Sequence, residues 1–305
     1  MERRSSLCIP THNNASVISD ALSSALRQTC SPFEILVLDN CSTDDTEGVI
    51  RKLASGHPHV RYVRHPENIG MAGNFSACVA LARGEYVQIL CADDALEPTC
   101  VEVLQTALHN EPASVLAACG RTLVDEALRP LRVVRARARR EVVPGSRLAR
   151  ECFVEGNVIG EPSAVMFRRE AALRGFNADY SQLLDLDMWF HLLSQGAGVL
   201  LPEALCLVRQ HDKQVTERNI HSGRVIQDKQ RLFQQVAASL TADLTMRDKI
   251  LWDARMASSV ARVRLSGGVT DVSAISEIFF KRLFMHVLVP TLSLAVTRIG
   301  FGRRT

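Results

Sequence analysis

Through its first third the chain alternates short apolar runs with stretches of helical periodicity. Leu7–Pro10 is a compact run of strand character, and Ile18, Leu22, Ala25 and Leu26 then recur on one helix face. Within Phe33–Asp39 the four consecutive apolar residues Ile35 to Leu38 predict a strand covered on both sides. Ser42 is placed to cap the next helix, with Asp44, Asp45 and Glu47 in a first turn that favours negative charge. Val60–Val63 reads as a short strand. Phe75, Cys78, Val79 and Ala82 mark a helix face that stops at Gly84, and Tyr86–Leu90 reads as a buried strand. Val101, Leu104 and Leu108 belong to one further helix. This βαβαβαβα order predicts an α/β fold with a mostly parallel, doubly wound sheet and helices on both faces.

From Ser114 to Val208 the elements become shorter and mixed, and beyond His211 the pattern is helical. Leu232, Phe233, Val236 and Leu240 form one stripe, and Ile250, Ala254, Ala257 and Ala261 another. The division this implies is an α/β domain over residues 1–215 and a C-terminal helical extension over 216–305.

Composition narrows the classes. A chain of 305 residues with 47% hydrophobic and 23% charged residues buries a large core, and a net charge of +3 is too small to make nucleic acid its partner. Nine cysteines, an odd number without a C-x-x-C pair, do not form a disulfide framework or a structural zinc site. Cys30, Cys78 and Cys119 read as small buried hydrophobes in a reducing compartment. The first six residues lead straight into the strand-like Leu7–Pro10 with no apolar h-region, which argues against a secretory leader and for the cytoplasm. Leu283–Thr297 lacks Asp, Glu, Lys and Arg, but it is shorter than the ~20 residues of a bilayer span and contains His286 and Pro290. The basic margins of this tail (Lys281, Arg282, Arg298, Arg303, Arg304) suit packing or a homodimer through the C-terminal helices first, and peripheral membrane contact second. Arg129, Arg132, Arg135, Arg137, Arg139 and Arg140 form a basic run that reads first as a solvated edge strand, and second as a surface for an anionic acceptor.

The chemistry gathers where an open parallel sheet binds ligands, beyond the carboxyl ends of its strands. Pro10-Thr11-His12-Asn13, then Asp39-Asn40, then Asp93-Asp94 fall there. One carboxylate on such a rim can accept the imide N–H of uracil or thymine, and another can hold a divalent cation against a diphosphate. Neither G-x-x-x-x-G-K-[ST] nor G-x-G-x-x-G occurs, so a bound diphosphate needs a metal rather than a glycine cradle.

These segments, in this order, resemble the family-2 glycosyltransferases of the GT-A fold over about Ser6 to Thr216. Pro-Thr-His-Asn at 10–13 is similar to the family's Pro-x-Tyr-Asn, and Leu-Asp-Asn-Cys-Ser-Thr-Asp-Asp-Thr at 38–46 to its Asp-Asp-Gly-Ser-Thr-Asp signature. Asn68, Gly70, Asn74 and Gly84-Glu85-Tyr86 match the lead-in to Ala92-Asp93-Asp94, the metal motif. Gly160-Glu161-Pro162-Ser163 resembles the acceptor-side loop, Asp185-Leu186-Asp187-Met188-Trp189 the segment of the catalytic base, and Arg209-Gln210-His211 with Thr216 the closing motif.

The resemblance implies an inverting transfer of a sugar from a nucleotide-diphosphate donor, a UDP- or dTDP-sugar, to a hydroxyl of a glycan or lipid-linked acceptor. It implies Asp185 as general base with Asp187 as fallback, Asp93 and Asp94 with His211 as ligands of Mn²⁺ or Mg²⁺, and Asp39 as base reader. Pro10, Thr11, Asn13, Asn40, Asn68, Met71, Asn74 and Ala92 would line the donor site, and Gly160, Glu161, Pro162 and Trp189 the acceptor side. It further implies bacterial surface-glycan assembly at the inner membrane face. Cys91 departs from the pattern, standing where many relatives carry the first acid of Asp-x-Asp; Leu184 and His191 depart beside the base. Two other classes stay open: a non-catalytic nucleotide-sugar-binding subunit and a sugar nucleotidyltransferase.

Overall fold

A computed structural model describes residues 4–210, 224–239 and 244–265. His211, Thr216, Leu240 and the apolar tail at 283–297 lie outside the described residues. The chain divides into two compact units, one of residues up to 180 with 184–212, the other of 181–183 with the chain from 213 onward.

In the first unit the elements run β1 (Ser5–Thr11), α1 (Ile18–Leu26), β2 (Glu34–Asp39), α2 (Thr46–Ala54), β3 (Val60–Arg64), α3 (Gly70–Leu81), β4 (Tyr86–Ile89), β5 (Ala95–Leu96) and α4 (Cys100–Asn110). They continue with β6 (Ser114–Val124), β7 (Pro130–Val134), β8 (Glu141–Val143), α5 (Gly145–Glu155), β9 (Val165–Arg168), α6 (Leu184–Leu193) and β10 (Ala197–Arg209). The strands form one sheet in the order β3-β2-β1-β4-β9-β6-β10-β5, with β7 on β6 and β8 on β10.

The parallel order read from the sequence holds across β3-β2-β1-β4. Beyond β4 the sheet is mixed: β9 runs antiparallel to β4 and β6, and β10 is parallel to β6 but antiparallel to β5 and β8. The physical reason lies in the connections. The connections through α1, α2 and α3 keep the chain parallel, whereas the tight turn between β6 and β7 and the connections through α4 (β5 to β6) and α6 (β9 to β10) return it antiparallel. Every residue of β1 and β2 is buried, as strands covered on both faces are. The core joins Leu7, Ile9, Ile35 and Val37 of these strands to Ile18, Leu22 and Ala25 of α1 and to Val101, Leu104 and Leu108 of α4.

Two local expectations change. Ser42 does not cap α2, which starts at Thr46 with Asp45 in the cap position and no side-chain cap bond. Residues 135–139 are not a strand, since β7 ends at Val134. Half of the basic run is ion-paired: Arg137 with Glu141 and Glu151, Arg140 with Glu111 at 2.7 Å and Arg129 with Asp125 at 2.7 Å. That removes part of the charge an anionic acceptor would have met.

The second unit is helical where described, with α7 (Arg224–Ser239) and α8 (Met246–Leu265). Phe233 packs on Trp252 with ring centroids 5.8 Å apart, and Lys229 Nζ donates to Ser259 Oγ at 2.7 Å. Thr245 and Asp248 cap α8 reciprocally, their bonds at 2.7–3.3 Å. The buried positions of α8 include Trp252, Met256 and Val260, whereas Ala254 of the expected stripe is exposed. Among the described residues no helix is long and apolar enough to cross a membrane.

Candidate active site at the sheet rim

The parallel register puts Thr11 beside Asp39, so the carboxyl ends of β1 and β2 form one ledge. Asp39 sits under that ledge with no exposed surface. Its Oδ1 accepts Ser42 N–H at 2.8 Å and Ser42 Oγ–H at 2.6 Å; its Oδ2 accepts Tyr62 O–H at 2.7 Å and faces Arg64 at 3.5 Å. Each oxygen thus has a partner within the protein, and in this structure Asp39 braces the turn. Burial, then the bond to Asp39, pushes the Tyr62 phenol beyond its ordinary range.

Asn40 is equally committed. Its amide donates to Asn68 Oδ1 at 2.9 Å and Gly70 O at 3.2 Å, and its oxygen accepts Ile69 N–H at 2.9 Å. Asn13 takes a left-handed φ of +55°, and its Oδ1 accepts Thr43 N–H at 2.7 Å. Asn68 Nδ2 lies 3.3 Å from His12 Nε2. Thr11 is buried against Asn14, Asn74 is buried and donates to Leu38 O at 3.2 Å, and Met71 is exposed. Thus Pro10 to Asn13, Asn40 and Asn68 converge on one ledge. Asn74 supports it from below.

The strand that carries Asp93 and Asp94 lies beside β1, with Leu90 N–H bonded to Cys8 O at 2.8 Å. Cys91, Asp93 and Asp94 each offer a donor atom within 4.8 Å of the others, and Ala92 is buried between them. This set suits a divalent cation, because carboxylate oxygens are hard donors. The two acids are not equivalent. Asp94 is buried, its Oδ2 accepting Ser163 Oγ–H at 2.6 Å and its Oδ1 accepting Arg209 N–H at 3.1 Å. Burial and the neighbouring Asp93 charge raise its carboxyl well above the usual range. Asp93 is the more exposed of the two. Its carbonyl accepts Arg209 Nε–H at 2.8 Å, and the same guanidinium is held by Asp20 at 2.6 Å and by Glu126 O. Arg209 therefore clasps the turn from behind, while Asp93 is the acid better placed for a cation. The third expected ligand, His211, is outside the described residues.

Asp185 stands in the first turn of α6, where its Oδ1 accepts Leu186 N–H at 2.8 Å and its Oδ2 accepts Asn157 Nδ2–H at 3.0 Å. Desolvation and then the Glu161 charge push this carboxyl up to about 7, against the pull of the Leu186 N–H and of Arg121. Arg121 is ion-paired with Glu161. Gly160 has φ +122°, a left-handed conformation that favours glycine, and a Cβ there would lie 3.2 Å from the Arg121 guanidinium. The Gly160 carbonyl accepts Trp189 Nε1–H at 3.1 Å and Asn157 Nδ2–H at 3.0 Å. Trp189 and Pro162 are buried and support the loop. Asp187 is fully buried and bonded to Arg174 at 2.6 Å. It is thereby committed to a salt bridge, which Asp185 is not.

The turn and this loop share one electrostatic neighbourhood. Burial, then Asp94, Asp93 and Asp185, keep the Cys91 thiol well above its ordinary range. Asn157, Arg121 and Asp20 escaped sequence reasoning, because each works through a contact distant in the chain that no local pattern announces.

Residues 6–176 match the model of Glycosyl transferase family 2. The chain is 32% identical to the uncharacterized protein MT1568 of Mycobacterium tuberculosis, over 75% of this chain and 74% of that one. It is 41% identical to the chondroitin synthase of Pasteurella multocida, but over 32% of this chain and only 10% of the synthase. To the abequosyltransferase RfbV of Salmonella typhimurium it is 37% identical, over 35% of this chain and 33% of that one. Among solved structures, Staphylococcus aureus TarS 1–349 in complex with UDP-GlcNAc superposes with TM-score 0.58 at 14% identity, covering 93% of this chain and 89% of that one. The mannosyltransferase PcManGT from Pyrobaculum calidifontis, in complex with GDP-Man and Mn²⁺, does so with TM-score 0.57 at 19% identity, covering 99% and 89%. With the sheet order and the acidic rim, these matches establish that the chain belongs to glycosyl transferase family 2 and has the GT-A fold.

Proposed function

We propose that the protein transfers a sugar, with inversion, from a nucleotide-diphosphate donor to a hydroxyl of a glycan or lipid-linked acceptor. The observation that carries this reading is Asp185. It is a carboxyl raised to about 7, in the same electrostatic neighbourhood as the Cys91–Asp94 turn, and so poised to take a proton near neutral pH.

The donor nucleotide would lie on the ledge of Pro10, Thr11, Asn13, Asn40 and Asn68. Asp39 lies under that ledge, braces its turn, and is the acid that would read the base edge. A divalent cation, Mn²⁺ or Mg²⁺, would be held by Asp93 with help from the Cys91–Asp94 turn and would supply charge neutralisation for the leaving diphosphate. At the acceptor side, Asp185 accepts the hydroxyl proton as the acceptor oxygen bonds to the anomeric carbon. The bond from that carbon to the diphosphate breaks, and its electron pair leaves with the phosphate oxygen. Glu161 raises the basicity of Asp185, and Asn157 aims the carboxylate. The chondroitin synthase and abequosyltransferase relatives support glycan chemistry at the acceptor.

Calorimetric titration of UDP, dTDP and GDP, with Mn²⁺ and with chelator, tests the reading. Metal-dependent binding of one nucleotide, lost in Asp93→Ala, is the expected result. Failure of all three to bind in either condition would overturn the transferase reading.

A further inference from the structure

Ser163 supports an inference about how the cation site is shaped, and it rests on the transferase reading above. The residue has no exposed surface. Its hydroxyl donates to Asp94 Oδ2 at 2.6 Å and accepts Cys91 N–H at 3.0 Å, and its carbonyl accepts Gln88 Nε2–H at 2.7 Å. One hydroxyl thus ties the first and last residues of the Cys91–Asp94 turn together. The residue that supplies it follows directly on Gly160-Glu161-Pro162, the loop that faces Asp185. Such a hydroxyl is spent in both directions, its proton on a carboxylate and its lone pair on an amide, and is not available as a nucleophile. Removing it would leave a buried carboxylate oxygen and a buried N–H without this shared partner, and the turn would have to rearrange to recover them.

We propose that Ser163 is a positioning residue for cation binding. It holds the Cys91–Asp94 turn in the shape that presents the Asp93 carboxylate, and it does so from the acceptor-side loop. The two halves of the site are therefore built as one unit, in which a change in the 160–163 loop alters the affinity of the donor side for its metal.

The test is direct Mn²⁺ binding, read from the paramagnetic resonance of the free ion with UDP or GDP present and no acceptor. Ser163→Ala is expected to weaken Mn²⁺ binding about ten-fold, and Ser163→Thr, which keeps the hydroxyl, to stay within about two-fold of the native protein. Ser76→Ala is the control. Its hydroxyl makes a similar, part-buried pair, donating to Ala72 O at 2.7 Å and accepting Phe176 N–H at 2.8 Å, away from the turn. It should leave Mn²⁺ affinity unchanged. Native affinity in Ser163→Ala, or equal weakening in Ser76→Ala, would overturn the proposal while leaving the transferase reading intact. Absence of Mn²⁺ binding by the native protein with every nucleotide would overturn both. Should Ser163→Ala not fold, Ser163→Cys, a weaker donor of similar size, carries the same expectation.

Discussion

The ledge over β1–β3 and the pocket around α6 both contain a desolvated aspartate, and the two are built in opposite ways. Asp39 accepts three hydrogen bonds and faces Arg64. Asp185 accepts two, from Leu186 and Asn157, with Glu161 pushing its carboxyl up and Arg121 pulling it down. Asp44, on the ledge side, follows the first plan: burial raises its carboxyl, but bonds from Thr46 and Ala15 outweigh that and leave it below its usual range. The contrast teaches that an acid in a cleft is identified as reactive by what its surroundings fail to supply. Asp39 is held by several donors, whereas the Asp185 carboxyl is raised because fewer donors compensate its burial.

The comparison can be broken most sharply at Asp185. Replacing it with Asn is expected to cut turnover by roughly 10²–10⁴-fold while donor binding by calorimetry stays native. Parallel loss of binding would mean that Asp185 is structural after all. Next in size is Asp39→Ala, which strands the Ser42 and Tyr62 donors. A loss of about 2–4 kcal/mol in chemical denaturation is expected, and a change under ~0.5 kcal/mol would show that the ledge does not depend on it.

The pH dependence sharpens the same contrast. A base must be ionised to act, so the rate should climb as pH rises through about 7 and level above it. Glu161→Gln removes a charge that raises Asp185, so that limb should move to lower pH; Arg121→Gln should move it up. Stability should follow the opposite sign. The folded Asp185 carboxyl lies above its ordinary value of 3.8, so the folded state holds a proton that the unfolded chain has released between there and about 7. Stability is lost as pH rises through that window, and the melting temperature of Asp185→Asn should gain on the native protein between pH 5 and pH 8. A constant difference would count against the shift.

The smallest expected effect lies at Cys41, which has φ +62° where the family signature carries glycine. Cys41→Gly should stabilise by about 1 kcal/mol or less, the relief of strain being partly offset by the extra freedom of the unfolded glycine.

The strand and helix order of the first unit was legible in the chain, because periodicity at i, i+2 or i, i+3/i+4 is itself a statement about which face meets the core. Ile18, Leu22 and Ala25 are buried for that reason, and Pro10, Asp39 and Asp93 stand at strand ends because the strands stop there. The role of each acid was not legible, since it depends on donors far away in the chain. Asp39 is matched by Tyr62, Asp94 by Ser163 and by the Arg209 backbone, the Arg209 guanidinium by Asp20, and Asp187 by Arg174. The mixed pairing beyond β4 was hidden for a similar reason, because strand direction follows from how a connection packs and not from the residues of the strand.

By itself, then, the sequence determined the alternation of elements, the family, and the positions where chemistry could occur. Those follow from short-range periodicity and from motif order. Only the tertiary structure decided what surrounds each carboxylate, because the state of an acid is set by the charges and hydrogen-bond donors that folding brings around it.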